Sequence, residues 1–166
     1  TPSSSWPLQG NNNWCAAYAF CAIMKYIGIA DMTAEELIIA CYGPGNYTTE
    51  TTFAEMMGIA FAQTRGSNPI LVYTAADFGV MSSEIWGNRP VEMGMGHYVG
   101  SRRESGHAIV LRGFNSTTQT YSIWNPWYSF YETYGVGGAY APISQQNYIL
   151  YHDMTTYNWT SSVIVS

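Results

Sequence analysis

Charge is what this chain has least of. Only 10% of its 166 residues are Asp, Glu, Lys or Arg, well below the roughly 25% usual in soluble domains. Its six basic residues stand singly except for Arg102-Arg103, and the net charge is -5. No cationic stripe is present to neutralise phosphates, which argues against nucleic acid as a partner. Long apolar runs are also missing. The longest, Cys15 to Met24, is ten residues, short of the roughly 18 that a membrane-spanning helix needs. Cysteine is scarce and odd in number: Cys15, Cys21 and Cys41. A disulfide framework calls for an even count. No C-x-x-C occurs, and His97, His107 and His152 lack ligand spacing, so a zinc site is not expected; the chemistry read below needs no metal or organic cofactor. The first residues, TPSSSW, lack the basic start and apolar core of a signal peptide. The expectation is a mature form from which a targeting segment has been removed.

Apolar side chains are plentiful. The chain is 47% hydrophobic and 16% aromatic, enough to bury a core unaided. Asn, Ser, Thr, Gln and Tyr then supply most of the polar surface, a composition that favours a secreted protein. N-x-T sequons stand at Asn46, Asn115 and Asn158, and matter only in a host that glycosylates.

The first half reads as helical. Cys15 to Gly28 is apolar on nearly every side, the mark of a helix buried all round. Thr33-Ala34-Glu35-Glu36 is a capping box and opens a second helix to about Cys41, stopped by Gly43-Pro44-Gly45. Thr52-Phe53-Ala54-Glu55 repeats the signal for a third helix ending near Arg65-Gly66. Ile70 to Tyr73 reads as a short strand and Ser83 to Trp86 as a helical turn. The second half reads as strands: Val91 to Ser101, Ala108 to Arg112, Tyr121 to Trp124, Tyr148 to Tyr151 and Ser162 to Val165. Asn115 to Gln119 is a turn that pairs the second and third of these as a hairpin. Residues 128–141, rich in Gly and Tyr, receive no assignment. Helices first and strands second is an α+β order. One domain is expected over residues 1–166, with a helical lobe over about 10–88, a sheet lobe over about 89–166 and a cleft between them.

Four residues carry the chemistry. Cys15 ends the polar run Gln9-Gly10-Asn11-Asn12-Asn13-Trp14 and begins the buried helix. Unpaired N–H groups and the helix dipole lower a thiol's pKa there, which would make a nucleophilic thiolate available near neutral pH. The plainer reading of any lone Cys is a small buried hydrophobe, and Cys21 and Cys41, inside apolar helices, receive it. His107 follows Gly106 at the mouth of an apolar strand; taken alone it is as well explained as a structural imidazole. Asn125 ends the next strand, before Pro126-Trp127. Its amide oxygen can hold one ring nitrogen of His107, with Trp127 shielding that bond from water. An Asn before Pro is also a common turn. Gln9 lies six residues before Cys15. Its amide and the Cys15 backbone N–H can together receive an oxyanion, though a solvated Gln is the better reading of that residue taken alone.

In combination these motifs, Q-G-N-N-N-W-C-A, G-H-A and I-W-N-P-W, resemble those of the papain-like cysteine proteases, and in particular the staphopain family of secreted bacterial proteases. The resemblance covers about residues 9–127. It implies a papain-like fold with a helical lobe, a barrel-like antiparallel sheet lobe and a cleft between them. It implies Cys15 as nucleophile, His107 as general base and acid, Asn125 as orienter and Gln9 with the Cys15 N–H as oxyanion hole, supported by Trp14, Gly106 and Trp127. It also implies a propeptide, a small protein inhibitor as partner, and an extracellular site of action. The chain departs from the family pattern at Ala17, where a Gly stands two residues past the nucleophile, and in the aromatic run after Trp127. The expected function is therefore a secreted, monomeric cysteine endopeptidase working through an acyl-enzyme on protein or peptide substrates, with a bell-shaped pH dependence belonging to the Cys–His pair. Deamidation or acyl transfer by the same triad, and a non-catalytic binding module, are the rivals.

Overall fold

The computed structural model describes residues 14–44, 54–72, 77–126, 140–142, 147–150 and 155–165. Helix α1 (Cys15–Ile27) is the apolar run foreseen from the sequence, and eight of its residues are buried. It stops at Gly28, whose left-handed backbone (φ 81°) turns its N–H back to the carbonyls of Met24 and Lys25. Helix α2 (Ala34–Tyr42) has the full capping box: Glu36 N–H donates to Thr33 Oγ1, and the Thr33 N–H donates to the Glu36 carboxylate. Helix α3 (Ala54–Thr64) follows; the cap expected at Thr52 lies outside the described residues. Gly58 on α3 is needed for close approach. A Cβ there would stand 2.6 Å from the Phe20 ring of α1.

Strand β1 (Ile70–Val72) precedes helix α4 (Phe78–Trp86). This helix is twice the length of the turn expected over Ser83–Trp86. Gly79 and Ser82 are weak helix formers that hid its first half, while Asp77 caps it by accepting from the Val80 N–H at 3.1 Å. Strands β2 (Val91–Val99) and β3 (Arg102–Asn115) form a hairpin turned by Gly100 at φ 63°. β3 starts earlier than expected because its first five residues are exposed and give no apolar signal. β4 (Thr120–Trp124) pairs back on β3 as foreseen, through a turn in which Asn115 Oδ1 accepts from the Thr117 and Thr118 N–H groups. β5 (Tyr140–Pro142), β6 (Asn147–Leu150) and β7 (Thr155–Ile164) are the remaining strands among the described residues.

All seven strands join one antiparallel sheet in the order β1-β7-β2-β3-β4-β5, with β6 beside β1 on the far side of β7. The α+β class is therefore as expected. Among the described residues the sheet is an open path. One detail differs. The sheet recruits across the expected boundary near residue 88, because β1 pairs with β7 and α4 packs on β2 and β3. Residues 70–86 read as part of a helical half only because a three-residue strand carries too little pattern to show its partner.

The two faces of the sheet bury different cores. One packs against α1, α2 and α3 through Ala108, Val110, Trp124, Val163 and Val165. The other, with α4 over it, is filled by Met81, Met93, Met95, Ile109, Tyr121 and Trp159. The α1 side is built from alanines at 16, 17, 19 and 22. Small side chains let that helix lie close to β3, which positions everything below.

Candidate active site

Cys15 is the first residue of α1 and half-buried. Trp14 is its N-cap but offers no side-chain hydrogen bond to the helix, so the first N–H groups remain for other acceptors. The Cys15 thiol takes that place, accepting from its own backbone N–H and that of Ala16. A third N–H comes from the sheet: that of Ala108. The last β3–β4 pair is Val110 with Trp124, so Ala108 lies just past the end of that ladder, where a thiol can reach its N–H. Ala108 is the residue after His107.

His107 and Asn125 are both buried, at 4% and 0% exposure. The His107 Nε2 and Asn125 Oδ1 are 2.8 Å apart. An amide oxygen only accepts, so Nε2 carries the proton and Nδ1 is the basic nitrogen. The hairpin register explains the pairing. Val110 opposes Trp124, so Asn125 comes next to Ile109, on the same face and one step from His107. The Tyr157 ring lies 6.1 Å from the imidazole, and its hydroxyl is 3.3 Å from Ser105 Oγ. The two sides of β3 thus share the site: the thiol meets the backbone at Ala108, and the imidazole shares a face with Met95 and Ile109.

The electrostatics correct one expectation. The helix N-terminus does pull the Cys15 pKa down through its N–H groups, but burial outweighs them and pushes the thiol up to about 11. The neighbouring Glu92 carboxylate pushes in the same direction. In this arrangement the thiol keeps its proton at neutral pH. Glu92 was not foreseen. It is fully buried on β2, opposite Val110 and Val163, and its one sequence signal is a lone acid between Val91 and Met93.

The other candidates sort clearly. Cys21 is buried and pushed up to about 12 by burial and by Glu36; Cys41 is also raised by burial. At both, every influence on the thiol pushes it upward. His97 lies 6.0 Å from the Tyr157 ring, whereas His152 is outside the described residues, as are Gln9 and Trp127. Gly106 admits the Arg103 guanidinium and, at 3.3 Å from where its Cβ would be, the Met95 carbonyl. Among the described residues no group of three His, Cys, Asp or Glu is placed to hold a metal ion. A groove of about 600 Å³ beside Trp86, Asn88, Gly113 and Phe114 is lined by none of the residues above.

Comparison with known proteins bears on this geometry. The sequence pattern of the Peptidase_C39 like family matches residues 4–156. The chain belongs to the peptidase C39-like family. Its kind is that of the papain-like cysteine peptidases. It is 25% identical over 163 residues to Staphopain A of Staphylococcus aureus, from strain MRSA252 and from strain Mu50 among others. That match takes in 93% of this chain but only 40% of the relative, so the chain spans well under half the length of the curated relatives. Among solved structures, one described as a C39-like peptidase from Bacillus anthracis superposes with a TM-score of 0.58 at 11% identity, covering 99% of this chain and 96% of the other. The N-terminal peptidase C39-like domain of the toxin secretion ATP-binding protein from Vibrio parahaemolyticus gives 0.53 at 15% identity, covering 92% and 95%. At such identities these two establish the fold of this C39-like chain and nothing finer.

Proposed function

We propose that this C39-like chain is a cysteine endopeptidase in which Cys15, His107 and Asn125 act as a triad. The observation that carries the reading is the buried 2.8 Å contact between His107 Nε2 and Asn125 Oδ1, one residue from the backbone N–H that donates to the Cys15 thiol. Asn125 fixes the tautomer and leaves Nδ1 as the basic nitrogen; in this reading Nδ1 is the base that takes the thiol proton. Because the thiol keeps its proton at rest, attack begins with transfer of that proton to Nδ1 as the sulfur bonds to the peptide carbonyl carbon. The carbonyl oxygen becomes an oxyanion, met by the Cys15 N–H and by the amide of Gln9. Each such donor contributes on the order of 2.7–4 kcal/mol in the transition state. His107 then gives its proton to the leaving amine, the C–N bond breaks, and a thioester remains. Water, deprotonated by His107, releases the acid and restores the thiol.

The likeness to Staphopain A supports further proposals: a secreted, monomeric enzyme acting on proteins or peptides outside the cell, made with a propeptide and held by a small protein inhibitor. No described helix is long and apolar enough to cross a membrane. The test is product analysis by mass spectrometry on a peptide library, with Cys15→Ala as the blank. Cleaved chains are expected. Released ammonia or a transferred acyl group would redirect the same thioester chemistry to another acceptor. Turnover equal to that of the blank would end the proposal.

A further inference from the structure

Arg103 differs from Arg89 and Arg102, which are ion-paired, and from Arg65, which lies over the Phe61 ring. Arg102 pairs with Glu104, and Arg89 pairs with Glu84 at 2.6 Å. Arg103 is exposed, and among the described residues it forms no ion pair. Its side chain is nevertheless held in place. Nη2 donates to the Met95 carbonyl at 3.0 Å, and Met95 is the cross-strand partner of His107. The guanidinium lies where Gly106 has no side chain, and its Nε is 3.2 Å from the position a Cβ on Gly96 would take. Gly96 and Gly106 face each other across β2 and β3. The Tyr98 ring occupies the rest of the space over Gly96. Two opposed glycines therefore make a seat, and Arg103 is laid into it.

The seat is next to the site. Ala108 lies two residues beyond Gly106, on the same face of β3, and its N–H donates to the Cys15 thiol. Of five guanidinium N–H donors, one is used by Met95. The others offer the planar fork that matches a carboxylate. A chain of net charge -5 thus presents an uncompensated positive group over Gly106, two residues along β3 from the N–H that meets the Cys15 thiol.

We propose that Arg103 is a specificity-determining residue that binds a carboxylate of the peptide substrate, on an Asp or Glu side chain, beside the bond to be cut. The proposal rests on the peptidase reading for the identity of the ligand as a peptide. The guanidinium forms a two-point, charge-assisted contact with the acid, and the glycine seat holds it ready. A neutral or basic residue at that position finds no partner there.

The experiment measures binding, so that it does not depend on turnover. Fluorescein-labelled hexapeptides carrying Glu or Gln at each position in turn are titrated into the Cys15→Ala protein and followed by anisotropy at low salt. One position is expected to favour Glu over Gln by about tenfold. Arg103→Gln in the same background should bring that ratio to near one. Gly106→Ala, whose Cβ displaces the guanidinium but keeps its charge, should reduce the ratio as well, with near-ultraviolet circular dichroism confirming that both variants are folded. A Glu preference that survives Arg103→Gln overturns the proposal, and so does equal binding, or none, at every position. Selective binding by a protein whose parent cleaves nothing would refute the catalytic reading and leave Arg103 as a carboxylate-binding residue.

Discussion

Cys15 and Cys21 lie on the same helix, less than two turns apart, and their surroundings could hardly differ more. Both thiols are raised by burial, to about 11 and about 12. Around Cys21 every influence pushes upward: burial, Glu36 and Cys41. Around Cys15 three backbone N–H groups pull the other way. The same atom is packing material in the middle of α1 and a candidate nucleophile at its end. Position on the helix, rather than burial, separates the two, since only the first turn has N–H groups to spare.

The contrast is broken most decisively by activity. Cys15→Ala should lower kcat/KM on a cleaved peptide by about four orders of magnitude or more, while Cys21→Ala should leave it within about twofold. Equal losses in both variants would reduce Cys15 to the same structural role. Asn125→Ala should lower kcat by about ten- to a hundredfold, because the imidazole still reaches its productive orientation part of the time. A larger effect on KM than on kcat would place Asn125 in substrate binding instead.

Stability should show the reverse order. Cys21→Ala opens a small void in the core that α1 shares with α2 and should cost about 1 kcal/mol in urea unfolding, against less than about 0.5 kcal/mol for Cys15→Ala. The pH sets a sharper test. Both folded thiols hold their protons above the ordinary value of 9.0, so the unfolded chain ionises first. Their contribution to stability is present below pH 9 and lost as pH rises, by about 11 for Cys15 and about 12 for Cys21. Iodoacetamide labelling of Cys15 should accordingly climb between pH 9 and 11 and outpace that of Cys21. A plateau already reached below pH 8 would mean that the thiol has passed its proton to His107 at rest. The smallest effect belongs to Glu92→Gln, which removes a negative charge near Cys15 and should move its labelling curve to lower pH by less than about one unit.

Much of this could be read in the residues, and what could not has physical causes. The start of α1 was legible because a polar loop gives way abruptly to an apolar run at Cys15. The capping box at Thr33 and Glu36 needs only local chemistry. The pairing of His107 with Asn125 was legible because a hairpin converts one turn, Asn115 to Gln119, into a register. The rest depends on contacts distant in sequence. The front half of β3 is exposed and the middle of β2 carries Gly94 and Gly96, so neither shows a clean alternation. The partner of β1 is at the other end of the chain. The direction of the Cys15 shift is the clearest failure. Sequence shows the helix terminus that lowers a thiol's pKa, but not the desolvation that raises it, because burial comes from Ala108 and its neighbours after folding.

Strand β7 is the last described strand and lies inside the sheet, one place from its edge. It bonds β2 along one side, and β1 and β6 along the other. Ile70, early in the sequence, must wait for Ile164 before it has a partner. Such long closures are entropically slow. Insertion of β7 should therefore limit the folding rate.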